Sequence, residues 1–254
     1  MHSNLDSYPH IMTLLDELRT NIQAILKDKL VGFYLYGSLV WGDFDEAHSD
    51  LDLLAALTAD LSDAEAFAIG EMHATFAQYH PEWHDRIEVQ YLSLQGLKTF
   101  RTETHRMGNI SPGEPFHMIE ADRAWLMNWY FVQNYGVTLF GPPPQVILDP
   151  ISPPEFIAAV REHVDMWREY ILAAQEQPPY RSYAILTMCR ALYTHQTGEQ
   201  VSKKQAVAWA IQAFPQWVQL IQRAWAGRSH STSVDLSYDE AAAFVAFARS
   251  QILT

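Results

Sequence analysis

The segment between Leu30 and Leu57 constrains the fold most strongly, because two apolar runs lie there with only a short connection between them. The first run, LVGFYLY, stops at Gly37 and predicts a buried strand that ends in a turn. The second, DLDLLAAL, opens at Asp50 and predicts another strand, while the intervening SLVWGDF is typical of a short helical turn. The two strands therefore predict a hairpin within one sheet.

Helices and a third strand are predicted around this hairpin. Apolar residues recur at helical spacing over about 9–28. Ser62, with Glu65 three residues later, predicts the N-terminus of a second helix that ends near His80. RIEVQYLS then alternates apolar and polar residues, which is the period of a strand. The order helix, strand, turn, strand, helix, strand predicts a small mixed sheet with helices packed against it.

Less regular segments follow the third strand. Residues 94–114 show no clear period and are expected to form a loop, whereas residues from about 122 to 135 have the pattern of a helix. GPPPQ (141–145) is expected to be non-helical, because consecutive prolines lack amide donors and fix φ. We therefore place a domain boundary there, between residues 1–145 and residues 146–254.

The second domain is predicted to be entirely helical. Ser202 and Asp239 are suitable N-caps, and Gly198 is a suitable C-cap. The expected fold is therefore α+β: an N-terminal domain with a small mixed sheet and helices, followed by an all-α helical bundle. The predicted helices of the bundle are 154–175, 183–197, 202–214, 215–225 and 239–252.

Composition narrows the class of partner. The chain of 254 residues has a formal net charge of −13, with 30 acidic residues against 17 basic residues. Such a field repels phosphate backbones, so a stable nucleic-acid partner is not expected, whereas a cationic small molecule would be attracted. The alternative is that the acidic excess only keeps the protein in solution.

The sequence disfavours several other classes of protein and of binding site. Cys189 is the only cysteine, which excludes an intrachain disulfide and a zinc cluster of paired cysteines. No Walker-type or G-x-G-x-x-G motif occurs, and His73, His80 and His84 follow no known zinc spacing. The first residues lack a secretory pattern, and the longest unbroken apolar stretch, 241–248, is too short to cross a bilayer. A cytoplasmic protein without a membrane partner is therefore expected.

Gly37 and Ser38 form a candidate phosphate site at the end of the first strand. Glycine allows a positive φ and a close approach of the backbone, so that the following amides can point at a phosphate group. Ser38 adds a hydroxyl that can bond a phosphate oxygen. Turns of this kind are common, so the two residues alone are a weak signal.

Asp50 and Asp52 form a candidate metal site. Strand side chains alternate between faces, so both carboxylates point to one side while Leu51 and Leu53 point to the core. Like charges so close repel each other. Mg²⁺ is the natural cation to neutralise them, because it prefers hard carboxylate oxygens as ligands. Glu88 lies on the polar face of the next predicted strand, so three carboxylates are expected beside the Gly-Ser turn. The alternative is that these carboxylates are solvated or cap neighbouring amides.

Two stretches resemble a known family. GSLVWGDFDEAHSDLDLL resembles the signature of the DNA polymerase β-type nucleotidyltransferase superfamily, a Gly-Ser turn followed by Asp-x-Asp. LTMCRALYTHQTGEQVSKKQAVAWA (186–210) is similar to a helical stretch of the aminoglycoside 3''-adenylyltransferases, which confer resistance to streptomycin and spectinomycin. The likeness therefore covers both predicted domains.

The resemblance implies a nucleotidyltransferase domain followed by a helical bundle, with ATP and the acceptor bound between them. It implies that Asp50 and Asp52 hold two magnesium ions. It also implies that Glu88 is the catalytic base, which takes the proton from the acceptor hydroxyl. Arg190 and Lys203 match positive positions that reach the nucleotide phosphates.

The expected function is magnesium-dependent transfer of AMP from ATP to a hydroxyl of a small, aminoglycoside-like acceptor, with release of pyrophosphate. One alternative keeps this chemistry with another acceptor, which could be a different small molecule, a protein or an RNA. A second alternative is a regulatory module that binds a nucleotide without catalysis. The base preference and the oligomeric state stay open.

Two departures from the family pattern bear on the acceptor. Members that modify streptomycin carry an aspartate just before the L-T-x-x-R helix, whereas this chain has Tyr180 there, with Arg181 beside it. This change removes a charge partner for a guanidinium or ammonium group. The family's Glu-Trp pair is also not found in residues 94–116. The chemistry is therefore expected to carry over more fully than the identity of the drug.

Overall fold

The computed structural model, which describes residues 2–227 and 235–254, joins the apolar runs of the first half into one six-stranded sheet. The strands are β1 (Leu30–Tyr36), β2 (Leu51–Leu57), β3 (Ile87–Ser93), β4 (His105–Ser111), β5 (Glu114–Ala121) and β6 (Val137–Phe140). They lie in the order β5-β4-β3-β2-β1-β6. Strands β2 and β3 are parallel and the other neighbours are antiparallel, so the sheet is mixed, as predicted.

The helices of the first half cover this sheet. One sheet face, including Phe33, Leu53 and Val89, contributes to the same buried core as the apolar stripe of the first helix. The third helix is the crossover that parallel strands require, because it joins β2 to β3. The helices of this unit are α1 (Pro9–Leu26), α2 (Ser38–Trp41), α3 (Asp63–Tyr79), α4 (Leu94–Thr99), α5 (Leu126–Tyr135) and α6 (Pro144–Ile147).

Helix α3 begins with the capping box that the sequence predicted. Ser62 Oγ accepts a hydrogen bond from the Glu65 amide at 3.3 Å, and Glu65 Oε2 accepts one from the Ser62 amide at 2.7 Å. Lys29 adds an ion pair, with its Nζ 2.7 Å from Glu65 Oε2. These donors, chiefly Lys29 and then Ser62, lower the pKa of Glu65 from 4.5 to about 2.

Replacing Glu65 by Gln is expected to lower the free energy of unfolding by about 1–2 kcal/mol at pH 7. Because the folded-state pKa of Glu65 is depressed, its contribution is full above the unfolded pKa, near 4.5, and is lost as the pH falls towards 2. Urea unfolding of both proteins between pH 7 and pH 2 measures the difference. Glu71→Gln, at an exposed position on the same helix, is the matched control. A difference that does not shrink in acid would contradict this account.

The expected loop over 94–114 is wrong. Its first part forms α4, and its last part belongs to β4, which lies between β3 and β5 within the sheet. Polar residues hide the alternation of β4, but Met107 and Asn109 are buried. The ladders on both sides satisfy the backbone of this strand, so pairing with distant segments, not local hydrophobicity, makes it a strand.

Proline-rich segments were also predicted incorrectly. Pro144 begins helix α6, and the helix expected from residue 183 already begins at Pro178. A proline in the first turn of a helix costs little, because the missing amide hydrogen has no partner there. The N-cap expected at Asp239 is instead Ser237, which forms a capping box with Glu240. Strand β2 begins at Leu51, one residue after the expected start.

The second half folds into helices, as predicted, and contacts divide the chain into two units, Met1–Ile151 and Ser152–Thr254. The long helix α8 lies at the centre of the second unit and contacts each of the other four helices in the described residues. Ser202 caps α9 and Gly198, with φ of 76°, ends α8, both as predicted. The helices are α7 (Pro153–Tyr170), α8 (Pro178–Thr197), α9 (Lys203–Ala213), α10 (Val218–Ala226) and α11 (Tyr238–Leu253).

Across the described parts of both units, no helix combines the length and the apolar character needed to span a membrane.

Candidate active site

Three neighbouring strands place Asp52 and Glu88 in one row across the sheet. Tyr36, the last residue of β1, is the register partner of Asp52, and Asp52 is the partner of Glu88 on the parallel strand β3. Leu51 and Leu53 point to the opposite face and are fully buried, as strand alternation predicted. The row therefore presents its carboxylates on the face of the sheet away from the core of α1 and α3.

Asp50 joins these two carboxylates from the residue before β2. One carboxylate oxygen from each of Asp50, Asp52 and Glu88 lies within 4.8 Å of the others. All three residues are partly exposed, and they are the only such group of potential metal ligands in the described parts of the chain. Three hard, negatively charged donors this close suit a cation such as Mg²⁺, which would also relieve their mutual repulsion.

The histidines that were considered for a metal site have other roles. His73 is buried with its Nε2 2.7 Å from the Tyr91 hydroxyl, and burial lowers the pKa of His73 to about 3. His80 lies 3.1 Å from a carboxylate oxygen of Glu17. The set of His73, His80 and His84 forms no cluster of metal ligands in the residues that the structure describes.

Gly37 allows the turn after β1 to pass directly over Asp52. Its φ is 80° and its ψ is −155°, a region that essentially only glycine adopts. A Cβ atom on this residue would lie 1.7 Å from Asp52 Oδ2, so no other side chain fits. The turn and the carboxylate thus occupy one site because residue 37 lacks a side chain.

Ser38 begins the short helix α2 directly after this glycine. Its Oγ is buried and has no hydrogen-bond partner among the described residues. A buried hydroxyl without a partner is costly, so an oxygen of a bound ligand would stabilise it. This orphaned hydroxyl fits the phosphate role that the sequence predicted.

Two contacts around the carboxylates were not found from the sequence. Gln90 Nε2 donates a hydrogen bond to Glu88 Oε1 at 2.9 Å, and the Tyr36 hydroxyl donates to Gln90 Oε1 at 2.6 Å. Burial, followed by the nearby Glu88 and Asp52 carboxylates, raises the pKa of Tyr36 well above its usual value, so this hydroxyl stays protonated. The sequence signal that could have indicated the contact between Gln90 and Glu88 is their spacing, because residues two apart lie on the same face of a strand.

Arg86 holds the loop that leads into Asp50. Its Nε donates to the Ser49 carbonyl at 3.0 Å, and its Nη2 donates to the Glu46 carbonyl at 2.7 Å. The guanidinium also lies over the Trp83 ring, 4.5 Å from its centroid. A side chain next to β3 therefore fixes the residue before Asp50, which a linear reading of the sequence does not reveal.

The second unit carries the two predicted phosphate-binding cations. Arg190 lies on α8, where its charge, after burial, contributes to lowering the pKa of His163. Lys203 is exposed at the first position of α9, and its Nζ lies 5.8 Å from the centroid of the Tyr183 ring. Both are thus placed on helices of the second unit, as predicted from the sequence.

Tyr180 belongs to an aromatic cluster on α7 and α8. Its ring stacks on Trp167 at a centroid distance of 5.6 Å and lies 5.4 Å from the Tyr183 ring. Arg181 donates to the backbone carbonyls of Ala174 and Leu236, both at 2.8 Å. The position where the resemblance would place an acidic drug contact is therefore aromatic, and its basic neighbour stabilises the bundle.

Comparisons with known proteins agree with this architecture. Residues 146–251 match the family of the aminoglycoside adenylyltransferase C-terminal domain. The chain is 27% identical over 217 residues to the aminoglycoside (3'') (9) adenylyltransferases of Klebsiella pneumoniae and Escherichia coli. These alignments cover 81% of this chain and 80% of each relative, so they include both units.

A solved structure has the same fold. The crystal structure of spectinomycin adenyltransferase AAD(9) from Enterococcus faecialis, with ATP and spectinomycin, matches with a TM-score of 0.72 at 16% sequence identity. The match covers 95% of this chain and 99% of that chain. In sequence over most of its length, and in fold, the chain is thus similar to the aminoglycoside adenylyltransferases.

Proposed function

We propose that this protein transfers the adenylyl group of ATP to a hydroxyl of an aminoglycoside-like acceptor, with release of pyrophosphate. The observation that carries the proposal is the group of three carboxylates, Asp50, Asp52 and Glu88, beside the Gly37-Ser38 turn. Sequence similarity to adenylyltransferases over most of the chain supports the same reaction. The ATP and spectinomycin named in the structural relative support the two substrates.

Asp50 and Asp52 would hold magnesium, with two ions as the expected number. Their oxygens, with that of Glu88, lie within 4.8 Å of one another, which suits small cations shared between carboxylates. Bound there, Mg²⁺ would neutralise charge on the triphosphate and lower the pKa of the attacking hydroxyl. The two aspartates keep their positions through β2 and through the loop that Arg86 holds.

Four residues are proposed to bind the nucleotide phosphates. Ser38 Oγ, buried and without a partner among the described residues, would donate a hydrogen bond to a phosphate oxygen. Gly37 would allow the phosphates to approach the backbone. Arg190 and Lys203 would pair with the charge that develops on the departing pyrophosphate, because preorganised cations favour a more negative leaving group.

Glu88 would act as the general base. Its carboxylate would take the proton of the acceptor hydroxyl as that oxygen attacks the α-phosphorus of ATP. A new bond forms between this oxygen and the α-phosphorus, and the bond to the bridging oxygen of the β-phosphate breaks. The acceptor leaves with AMP, and the electron pair of the broken bond leaves with pyrophosphate.

The acceptor is expected to resemble spectinomycin more than streptomycin. The resemblance places an acidic drug contact of streptomycin-modifying enzymes at Tyr180, whose ring stacks on Trp167. Arg181 cannot replace that contact, because it is positive and donates to backbone carbonyls. A guanidinium group therefore finds no carboxylate partner at this position.

The test is pyrophosphate release from Mg-ATP with a panel of acceptors that includes spectinomycin and streptomycin. We expect release that depends on one compound, a gain of one AMP on that compound by mass spectrometry, and a higher kcat/KM for spectinomycin. Asp52→Asn serves as the blank. ATP binding without release for any aminoglycoside would contradict the proposed acceptor, and a higher kcat/KM for streptomycin would contradict the argument from Tyr180.

A further inference from the structure

A partly buried chain of hydrogen bonds ends on the Glu88 carboxylate. Asn128 Nδ2 on α5 donates to the Tyr36 hydroxyl at 3.4 Å, and this hydroxyl donates to Gln90 Oε1 at 2.6 Å. Gln90 Nε2 then donates to Glu88 Oε1 at 2.9 Å. An ionised carboxylate can only accept, so the amide nitrogen of Gln90 must face Glu88 and its oxygen must face Tyr36. The chain therefore has one direction.

The second amide hydrogen of Gln90 is also engaged. Nε2 donates to Asn109 Oδ1 at 3.3 Å, and Asn109 is the register partner of Gln90 on β4. Gln90 is 0% exposed and Asn109 is buried. Rotating the amide would leave buried donors and acceptors without these partners, which is costly. The side chain of Gln90 is thus held in one orientation by Asn109 on the adjacent strand β4 and by Tyr36 on β1.

A neutral donor suits this position. Glu88 lies close to the Asp50 and Asp52 carboxylates, which repel it. A lysine or arginine in place of Gln90 would hold Glu88 but would also cancel its charge and weaken it as a base. An amide fixes the carboxylate by a directional bond while leaving its charge in place.

We infer that Gln90 is the positioning residue of Glu88, oriented by Tyr36 and Asn109 so that the carboxylate meets the acceptor hydroxyl. Gln90 itself touches neither substrate nor metal in this scheme. The inference rests on the proposed role of Glu88 as the base. Gln90 would affect the reaction only by orienting the Glu88 carboxylate.

The test compares Gln90→Met, which keeps the length of the side chain, with Tyr36→Phe and with the double variant. We expect Gln90→Met to lower kcat by about 10- to 100-fold, the usual range for partners that orient an active-site ligand. KM for ATP and for the acceptor should change little, because Gln90 contacts neither. Tyr36→Phe should lower kcat less, and the double variant should be no worse than Gln90→Met alone, because both residues act in one chain.

The control is Leu92→Met, a volume-conserving change two residues further along the same face of β3, which should keep wild-type kcat. Wild-type kcat in Gln90→Met, or additive losses in the double variant, would overturn the inference. If Gln90→Met does not fold by circular dichroism, Tyr36→Phe decides alone: a reduced kcat with unchanged KM supports the chain, and wild-type kcat overturns it.

A second measurement does not depend on catalysis. The side-chain amide signals of Gln90 in ¹⁵N NMR of the protein without substrates should shift in Glu88→Ala and in Tyr36→Phe, but not in Leu92→Met. Unchanged signals in Glu88→Ala would overturn the inference even if adenylyl transfer is confirmed. If no acceptor is modified, shifted signals would preserve the hydrogen-bond chain while the proposed function fails.

Discussion

Asp52→Asn is expected to lower kcat for adenylyl transfer by about 1,000-fold or more while leaving the fold intact. Asp52 is the central residue of the row across the sheet, with Tyr36 beside it on β1 and Glu88 beside it on β3. The amide of Asn keeps the shape of the side chain, but it removes the negative charge that would bind Mg²⁺. Pyrophosphate release with the best acceptor of the panel measures the loss.

The midpoint temperature of thermal unfolding shows whether Asp52→Asn loses activity through its metal site or through unfolding. In the protein without metal, Asp52→Asn should unfold at the same temperature or higher, because one of three repelling carboxylates is neutralised. Asp60→Asn is the matched control, since it removes the same charge at an exposed position shortly after β2 and should retain activity. A fully active Asp52→Asn protein would refute the proposed catalytic role of Asp50, Asp52 and Glu88.

Gly37→Ala is expected to damage both stability and catalysis. The added methyl would lie 1.7 Å from Asp52 Oδ2, so either the turn or the carboxylate must move. The backbone itself, with φ of 80° and ψ of −155°, costs a non-glycine residue about 1–3 kcal/mol. We expect unfolding to become easier by at least this amount and kcat to fall by about 100-fold, since misplacement by about 1 Å has such effects.

Gly113→Ala separates the effect of backbone strain from the effect of the clash with Asp52. Gly113 has a similar φ of 82°, but a Cβ there would meet nothing within 4 Å, so this variant suffers strain without a clash. It should lose some stability and keep wild-type kcat. Equal kcat values for Gly37→Ala and Gly113→Ala would show that the close approach of the turn to Asp52 has no part in the reaction.

Local patterns determined a large part of the fold. Strands β1, β2 and β3 follow from runs or alternation of apolar residues. The cap at Ser62 follows from its pairing with Glu65 three positions later, and the cap at Ser202 from the preference of serine for N-caps. These signals are short-range because side-chain direction repeats every two residues in a strand and capping acts within one turn. For the same reason, the sequence alone placed Asp50 and Asp52 on one side of the core strand.

Tertiary structure decided what depends on register between distant segments. Strand β4 is polar, and only its pairing with β3 and β5 makes it a strand. The contact of Gly37 with Asp52 and the bond from Gln90 to Glu88 depend on how the strands align across the sheet. The hold of Arg86 on the loop before Asp50 joins segments far apart in the chain. The sequence by itself determined which residues could do the chemistry, whereas strand register determined which neighbours orient them, because hydrogen bonds between strands carry no local pattern.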